Sequence, residues 1–131
     1  MRLRYFDKDD QGAIERFHKA QGFDYELPDF SQPEFLVRAV IERPDGSPAL
    51  ALFLRKTAEA YMLHDPNEDS RKERVQQLLV LHREIPPLAQ QWGIGDLHCM
   101  LPPAIEGPFG KLLLHLGWTK PDWAMYARKV R

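Results

Sequence analysis

The chain has 131 residues, the size of one domain, with 44% hydrophobic and 11% aromatic residues, enough to bury a core. Eighteen basic residues against nineteen acidic ones leave a net charge of −1, which gives no general argument for nucleic acid or an anionic membrane as partner. A single cysteine, Cys99, rules out an intramolecular disulfide and makes a reducing, cytoplasmic setting the simplest expectation. The charged start "MRLRYFDKDD" lacks an apolar stretch resembling a signal peptide, and no run of about 18 apolar residues predicts a membrane span.

Residues 3–6, "LRYF", alternate and predict a first strand. Asp9 or Asp10 can cap a helix over 10–21, whose Ala13, Ile14, Phe17 and Ala20 line one face, and Gly22 ends it. The segment 23–33, "FDYELPDFSQP", is an aromatic and acidic loop with two prolines. "EFLVRAVIE" (34–42) and "PALALFLR" (48–55) are strands joined by the strong turn "RPDGS". "EAYMLHD" (59–65) predicts the next strand, joined through "KTA" as an antiparallel meander. A helix from Ser70 to about Ile85 carries Val75, Leu78, Leu79, Leu81, His82 and Ile85, and Pro86–Pro87 are expected to break or kink it. "DLHCML" (96–101) predicts a strand, "PPAIEGP" a rigid loop, 109–118 a short helix closed by Gly117, and 123–130 a last strand. The order β-α-β-β-β-α-β-α-β contains one βαβ unit, 59–101, whose strands must be parallel. The expected fold is a single α/β domain over 1–131, a mixed and mainly antiparallel sheet with helices on both faces.

That order, the strand-loop-helix at 59–85 and "LLLHLGW" before the final strand together resemble the GNAT acyltransferase superfamily over nearly the whole chain. The segment "GFDYELPDF" also looks like small GNAT-like proteins of phages and prophages. The resemblance implies a central splayed pair of parallel strands, here 59–65 and 96–101, and transfer of an acyl group, taken as acetyl, from acetyl-CoA to a small-molecule or peptide amine. It places the pantetheine arm along the backbone of Met62, Leu63 and His64, and the pyrophosphate at the helix start near Ser70.

Two departures stand out. With Leu78 and Leu79 laid on the family's helix leucines, the glycine positions of its pyrophosphate turn fall on Arg71, Glu73 and Val75. The family's frequent catalytic Tyr falls on Leu113, and a Leu cannot protonate a leaving thiolate. Glycines let backbone approach a phosphate, and side chains there obstruct it. Two readings of the turn stand open. Ser70 with Glu73 is a capping-box pattern, which makes a structural helix start. Alternatively Arg71, Lys72 and Arg74 replace backbone donors with side-chain charge. Residues 65–74 carry four acidic against three basic side chains, a poor background for a polyanion.

Glu59 and Tyr61 alternate on one strand and share a face, so Glu59 is the candidate general base, against a surface glutamate. Tyr126, on the last strand, is the candidate acid, against a packed tyrosine with a wet hydroxyl. Tyr25, Glu26, Asp29 and Phe30 fall in the loop that closes over the acceptor in the family. Their acids and rings suit a cationic amine, or they pack onto the sheet. His98 and Cys99, adjacent in a strand, point to opposite faces. With no HxxxH or CxxC spacing, no metal site is expected. Trp118 and Trp123 flank "TKPD" and cover a sheet edge or form a homodimer contact. The other function carried forward is a degenerate GNAT-like binding module that does not use CoA.

Overall fold

The computed structural model describes residues 1–130 as two compact units, one over Met1–His98 and one beginning at Cys99. The architecture is mixed α/β: a three-stranded antiparallel sheet, a separate two-stranded parallel pair and three α-helices.

In the first unit, β1 (Arg2–Tyr5), β2 (Phe35–Glu42) and β3 (Pro48–Arg55) form the sheet in that spatial order. The β2–β3 hairpin closes where the turn sequence requires. Gly46 takes a positive φ of 84°, Arg43 N–H donates to the Ser47 carbonyl at 2.8 Å, and the Asp45 carboxylate accepts from Ser47 N–H at 2.9 Å. The pairing Arg4↔Val40↔Ala51 and Arg38↔Phe53 puts these residues on one face. The rows Leu3↔Ile41↔Leu50, Tyr5↔Ala39↔Leu52 and Val37↔Leu54 fill the other.

The first face carries the core. Helix α1 (Gln11–Gln21) follows a 3-10 turn at Lys8–Asp10 and ends at Gly22, whose φ of 68° is the left-handed cap that glycine adopts without strain. The helix lays Ala13 and Ile14 inward. Ile14, Phe30 and Phe35 form the buried cluster, with Phe6, Phe17, Leu27, Ala51 and Phe53 packed around it. A register irregularity between Phe35 and Val37 lets Phe35 face this core although Val37 faces away.

The cap of α1 departs from expectation. Asp7 caps the 3-10 turn, and Asp10 is instead the buried anchor of an ion cluster. Arg4 reaches it with two bonds of 2.7 and 2.8 Å, and Arg4 Nε donates to Glu42 at 2.6 Å. The guanidinium of Arg4 holds the Asp10 carboxyl below its ordinary value, against the opposing effect of burial. A depressed folded-state pKa stabilises the protein above the unfolded carboxylate range, and that contribution disappears as pH falls through the folded value. Urea unfolding at about pH 6 and about pH 3 is therefore expected to show a smaller acid loss for Asp10→Asn than for the wild type. Equal losses would remove Asp10 as a source of acid sensitivity.

Five expected elements differ. The strand at 59–65 is only β4 (Ala58–Glu59), and that at 96–101 only β5 (Leu97–His98). They pair in parallel, Ala58↔Leu97 and Glu59↔His98, as the βαβ unit requires, but β4 does not pair with β3, so there is no continuous meander or single mixed sheet. Residues beyond Glu59 have no covered face to hold them as strand: Tyr61, Met62 and Leu63 are exposed.

Helix α2 (Arg71–Gln91) runs through Pro86 and Pro87 rather than ending at Ile85. Proline's fixed φ is helical. What the pair removes is two amide donors to the carbonyls of His82 and Arg83, and the helix persists on both sides. No residue of α2 is buried. Among the described residues of the first unit, α1 covers one face of the antiparallel sheet while Leu3, Leu50, Leu52 and Leu54 on the other are exposed, where helices on both faces were expected.

In the second unit, α3 (Pro103–His115) takes in most of the expected rigid loop, starting on a proline at the helix position that lacks a donor requirement, and Gly117 has a φ of 93°. Leu113 is buried, and Glu106 pairs with Lys120 at 2.9 Å. Among the described residues 123–130 there is no strand, and Trp123, Met125 and Tyr126 are exposed.

Candidate functional site

The start of α2 is built by its own side chains. Ser70 Oγ accepts from Glu73 N–H at 3.2 Å, and the Glu73 carboxylate accepts from Ser70 N–H at 2.7 Å, a complete capping box. The Ser70 bond is the leading cause of a Glu73 carboxyl held below its ordinary value. Arg74 folds back to donate to the Asp69 carbonyl at 2.5 Å, and Gln77 donates to the Asp69 carboxylate at 3.2 Å. Two of the four amides that open a helix are thus used, while those of Arg71 and Lys72, the first two helical residues, have no acceptor within the helix. Arg71 and Lys72 side chains are exposed beside them. Of the expected anion-binding set, Arg71 and Lys72 face outward together, Ser70 is occupied by the cap, and Arg74 is turned onto the preceding loop.

That loop is extended and open. Met62, Leu63 and His64 are exposed and lie outside β4, so the expected strand backbone for a pantetheine arm is present only as coil. The Asp65 carboxylate accepts from Asn67 N–H at 2.8 Å and shapes the turn before the helix.

Glu59 sits where regular pairing ends. Ala58 N–H donates to the Asp96 carbonyl at 3.2 Å and Ala60 N–H to the His98 carbonyl at 2.7 Å, so the backbone on both sides of Glu59 is fixed. The Glu59 carboxylate next to the Tyr61 hydroxyl pushes the phenol pKa up. Beside Glu59 lies an open groove of about 420 Å³ between the β4–β5 pair and the C-terminal half of α2, lined by Ala58, Ala60, Ile85, Leu88, Trp92 and Leu97 among others. Glu59 is its one charged lining residue. Lys56 Nζ donates to the Trp92 carbonyl at 2.5 Å, placing a cation at the carbonyl end of α2. Neither Trp92 nor Lys56 was singled out in the sequence. A tryptophan just before the helix-ending Gly93 was the available signal.

The four residues expected to meet an acceptor separate. Phe30 is core: its ring stacks on Phe53 with centroids 3.6 Å apart and meets the edge of Phe35 at 5.1 Å. Asp29 is committed to its own turn, accepting from Ser31 N–H at 3.0 Å, Ser31 Oγ at 2.6 Å and Gln32 Nε2 at 2.9 Å, with its carboxyl lowered to about 2 by these bonds. Tyr25 packs edge-on to His18 and stacks on Phe23. Glu26 is exposed. Asp29 and Phe30 line a second open groove, about 820 Å³, with Lys8, Gln11, Glu15 and Arg38. Lys8, Gln11 and Glu15 come from α1 and the turn before it, and the sequence reading had placed no role there. Arg38 binds the carbonyls of Phe30 and Gln32 and fixes the loop onto the sheet.

Tyr126 belongs to the second unit, in exposed non-strand chain, apart from the unit that holds Glu59. Among the described residues no group of three or more His, Cys, Asp or Glu side chains is placed to hold a metal ion, and no helix is long and apolar enough to cross a membrane. Compared with protein-family models, with curated proteins and with solved structures, the chain matches none of them.

Proposed function

We propose that the chain is a GNAT-type N-acyltransferase that takes acetyl-CoA as donor and a small-molecule or peptide amine as acceptor. The observation that carries this reading is the βαβ unit: parallel β4 and β5, joined through α2, with an apolar groove alongside and one carboxylate, Glu59, at its edge. On this reading β4–β5 is the short counterpart of the family's splayed strand pair. The groove suits the uncharged part of the donor. The two unused amides at the start of α2, with Arg71 and Lys72, suit its phosphates.

The chemistry needs little more. A neutral amine attacks the thioester carbon, Glu59 takes the proton from the nitrogen directly or through water, and the carbon–sulfur bond breaks. A thiol is acidic enough, near pKa 8.5, for its thiolate to leave without a dedicated acid. The Tyr that the family often uses is replaced by buried Leu113, which is consistent with a leaving group protonated from solvent.

A second reading is favoured by one specific observation, the closed capping box at Ser70 and Glu73. If those bonds hold against a ligand, the domain is a binding module without CoA.

Calorimetric titration with acetyl-CoA decides between them. The acyltransferase reading expects a 1:1 isotherm in the micromolar range, and the double substitution Arg71→Ala with Lys72→Ala is expected to weaken it about tenfold, or 1.4 kcal/mol. No heat and no thermal stabilisation at millimolar acetyl-CoA would leave the binding-module reading standing. Binding that the double substitution leaves unchanged would retain the donor and remove the role of Arg71 and Lys72.

A further inference from the structure

The second face of the three-stranded sheet is apolar throughout. Its rows read Leu3–Ile41–Leu50, Tyr5–Ala39–Leu52 and Val37–Leu54, with no charged side chain among them. An antiparallel sheet that meets water on one side normally alternates apolar and polar residues. Here the charges sit on the opposite, helix-covered face, where Arg2, Arg4 and Glu42 pair with one another and with Asp10. The apolar face is open: Tyr5 is 86% exposed, Leu3 67%, Leu50 57%, Leu52 53%, Leu54 49% and Val37 37%. Taking about 200 Å² for a fully exposed large side chain, these six present on the order of 700 Å². That is just above the upper limit of the largest apolar patch on an ordinary monomer, and it approaches the roughly 800 Å² that each partner of a stable complex buries.

We propose that this face is the interface of a homodimer, with the sheets of two copies packed face to face about a two-fold axis. A surface without charge offers nothing to select a charged partner. It is complementary to itself, because a two-fold brings no like charges together. Strands β2 and β3, of eight residues each, give a plate about 26 Å long, and β1, of four, widens half of it to about 14 Å, which suits aligned sheet-on-sheet packing at the usual separation of about 10 Å. Helix α2 is a poorer cover, because Ile85, Leu88 and, just past its end, Trp92 already line the groove beside β4 and β5.

Sedimentation velocity of the full chain from about 1 to about 200 µM, with no CoA present, tests this separately from the acyltransferase reading. The wild type is expected to dimerise with a micromolar constant. Leu52→Asp, which sets two carboxylates into the interface, is expected to be monomeric with an unchanged circular dichroism spectrum. If Leu52→Asp fails to fold, Leu52→Gln replaces it, with dimerisation expected to weaken at least about tenfold. A wild type that stays monomeric overturns the proposal and means that other parts of the same chain cover the face. A dimer that neither substitution weakens overturns it as well, because its interface lies elsewhere.

Discussion

Glu59→Gln is expected to lower the acylation rate by about 10²–10⁴-fold while leaving the affinity for acetyl-CoA nearly unchanged. The size follows from what is removed. Glutamine has the shape of glutamate, so the end of β4 keeps its geometry. The backbone amides of Ala58 and Ala60, bonded to Asp96 and His98, hold the position independently of the side chain. What is lost is the capacity to take a proton from the attacking nitrogen. A base positioned by regular strand on one side and non-strand chain on the other can reach an amine at the mouth of the groove, and glutamine keeps the same shape at the groove's edge. The substitution should therefore change kcat and spare the donor's dissociation constant. A Glu59→Gln protein with full activity would end the assignment of the base and leave donor binding to be judged by calorimetry alone.

Why the caps and the hairpin were legible and the extent of the parallel pair was not is a matter of range. The residues that declared themselves in the sequence did so through local chemistry. Ser70 and Glu73 are three residues apart and close the same cap in any helix start. Gly22 and Gly46 sit where the backbone turns left-handed. Phe35 to Arg55 form a hairpin whose turn fixes its own register. The parallel pair is non-local, and its extent depends on what covers it. Tyr61 and Leu63 alternate like strand residues, yet with neither buried the pairing stops at Glu59.

Proline misled in both directions. Pro86 and Pro87 lie inside α2 because the loss of two amides is tolerated in a long helix. Pro102 and Pro103, read as loop, open α3 because the first helical residue needs no donor. The loop after α1 misled for a different reason. Composition shows that Phe30 and Asp29 are aromatic and acidic, but not that the ring is stacked in the core and the carboxylate spent on Ser31 and Gln32. Only the fold separates a residue that holds a loop from one that meets a ligand.

Phe35→Ala is expected to cost the first unit about 3–5 kcal/mol, the usual range for emptying a buried phenylalanine site. The unit has little to absorb such a loss. Its fully covered apolar side chains are Ala13, Ile14, Phe30, Phe35, Ala39 and Val40, of which only two are large aromatics. Phe35 contributes more than its own burial. It supplies the edge that Phe30 packs against, and Phe30 in turn lies flat on Phe53. It is directed inward by the irregularity before Val37, so its removal also takes away the packing that rewards that break in register. Neighbouring side chains can close the space only by moving Phe30, which is tied to Arg38 through its carbonyl. Collapse of the site should be incomplete and the cost should fall toward the upper half of the range. Leu79→Ala, on a half-exposed position of α2, is expected to cost less than about 1 kcal/mol in the same urea titration. The contrast between the two is the measurement. If Phe35→Ala unfolds at the same urea concentration as Leu79→Ala, the aromatic cluster is not what holds α1 to the sheet. If it falls by the full amount, the stability of this unit rests on one small core on one face, and the bare opposite face is where further stabilisation must come from.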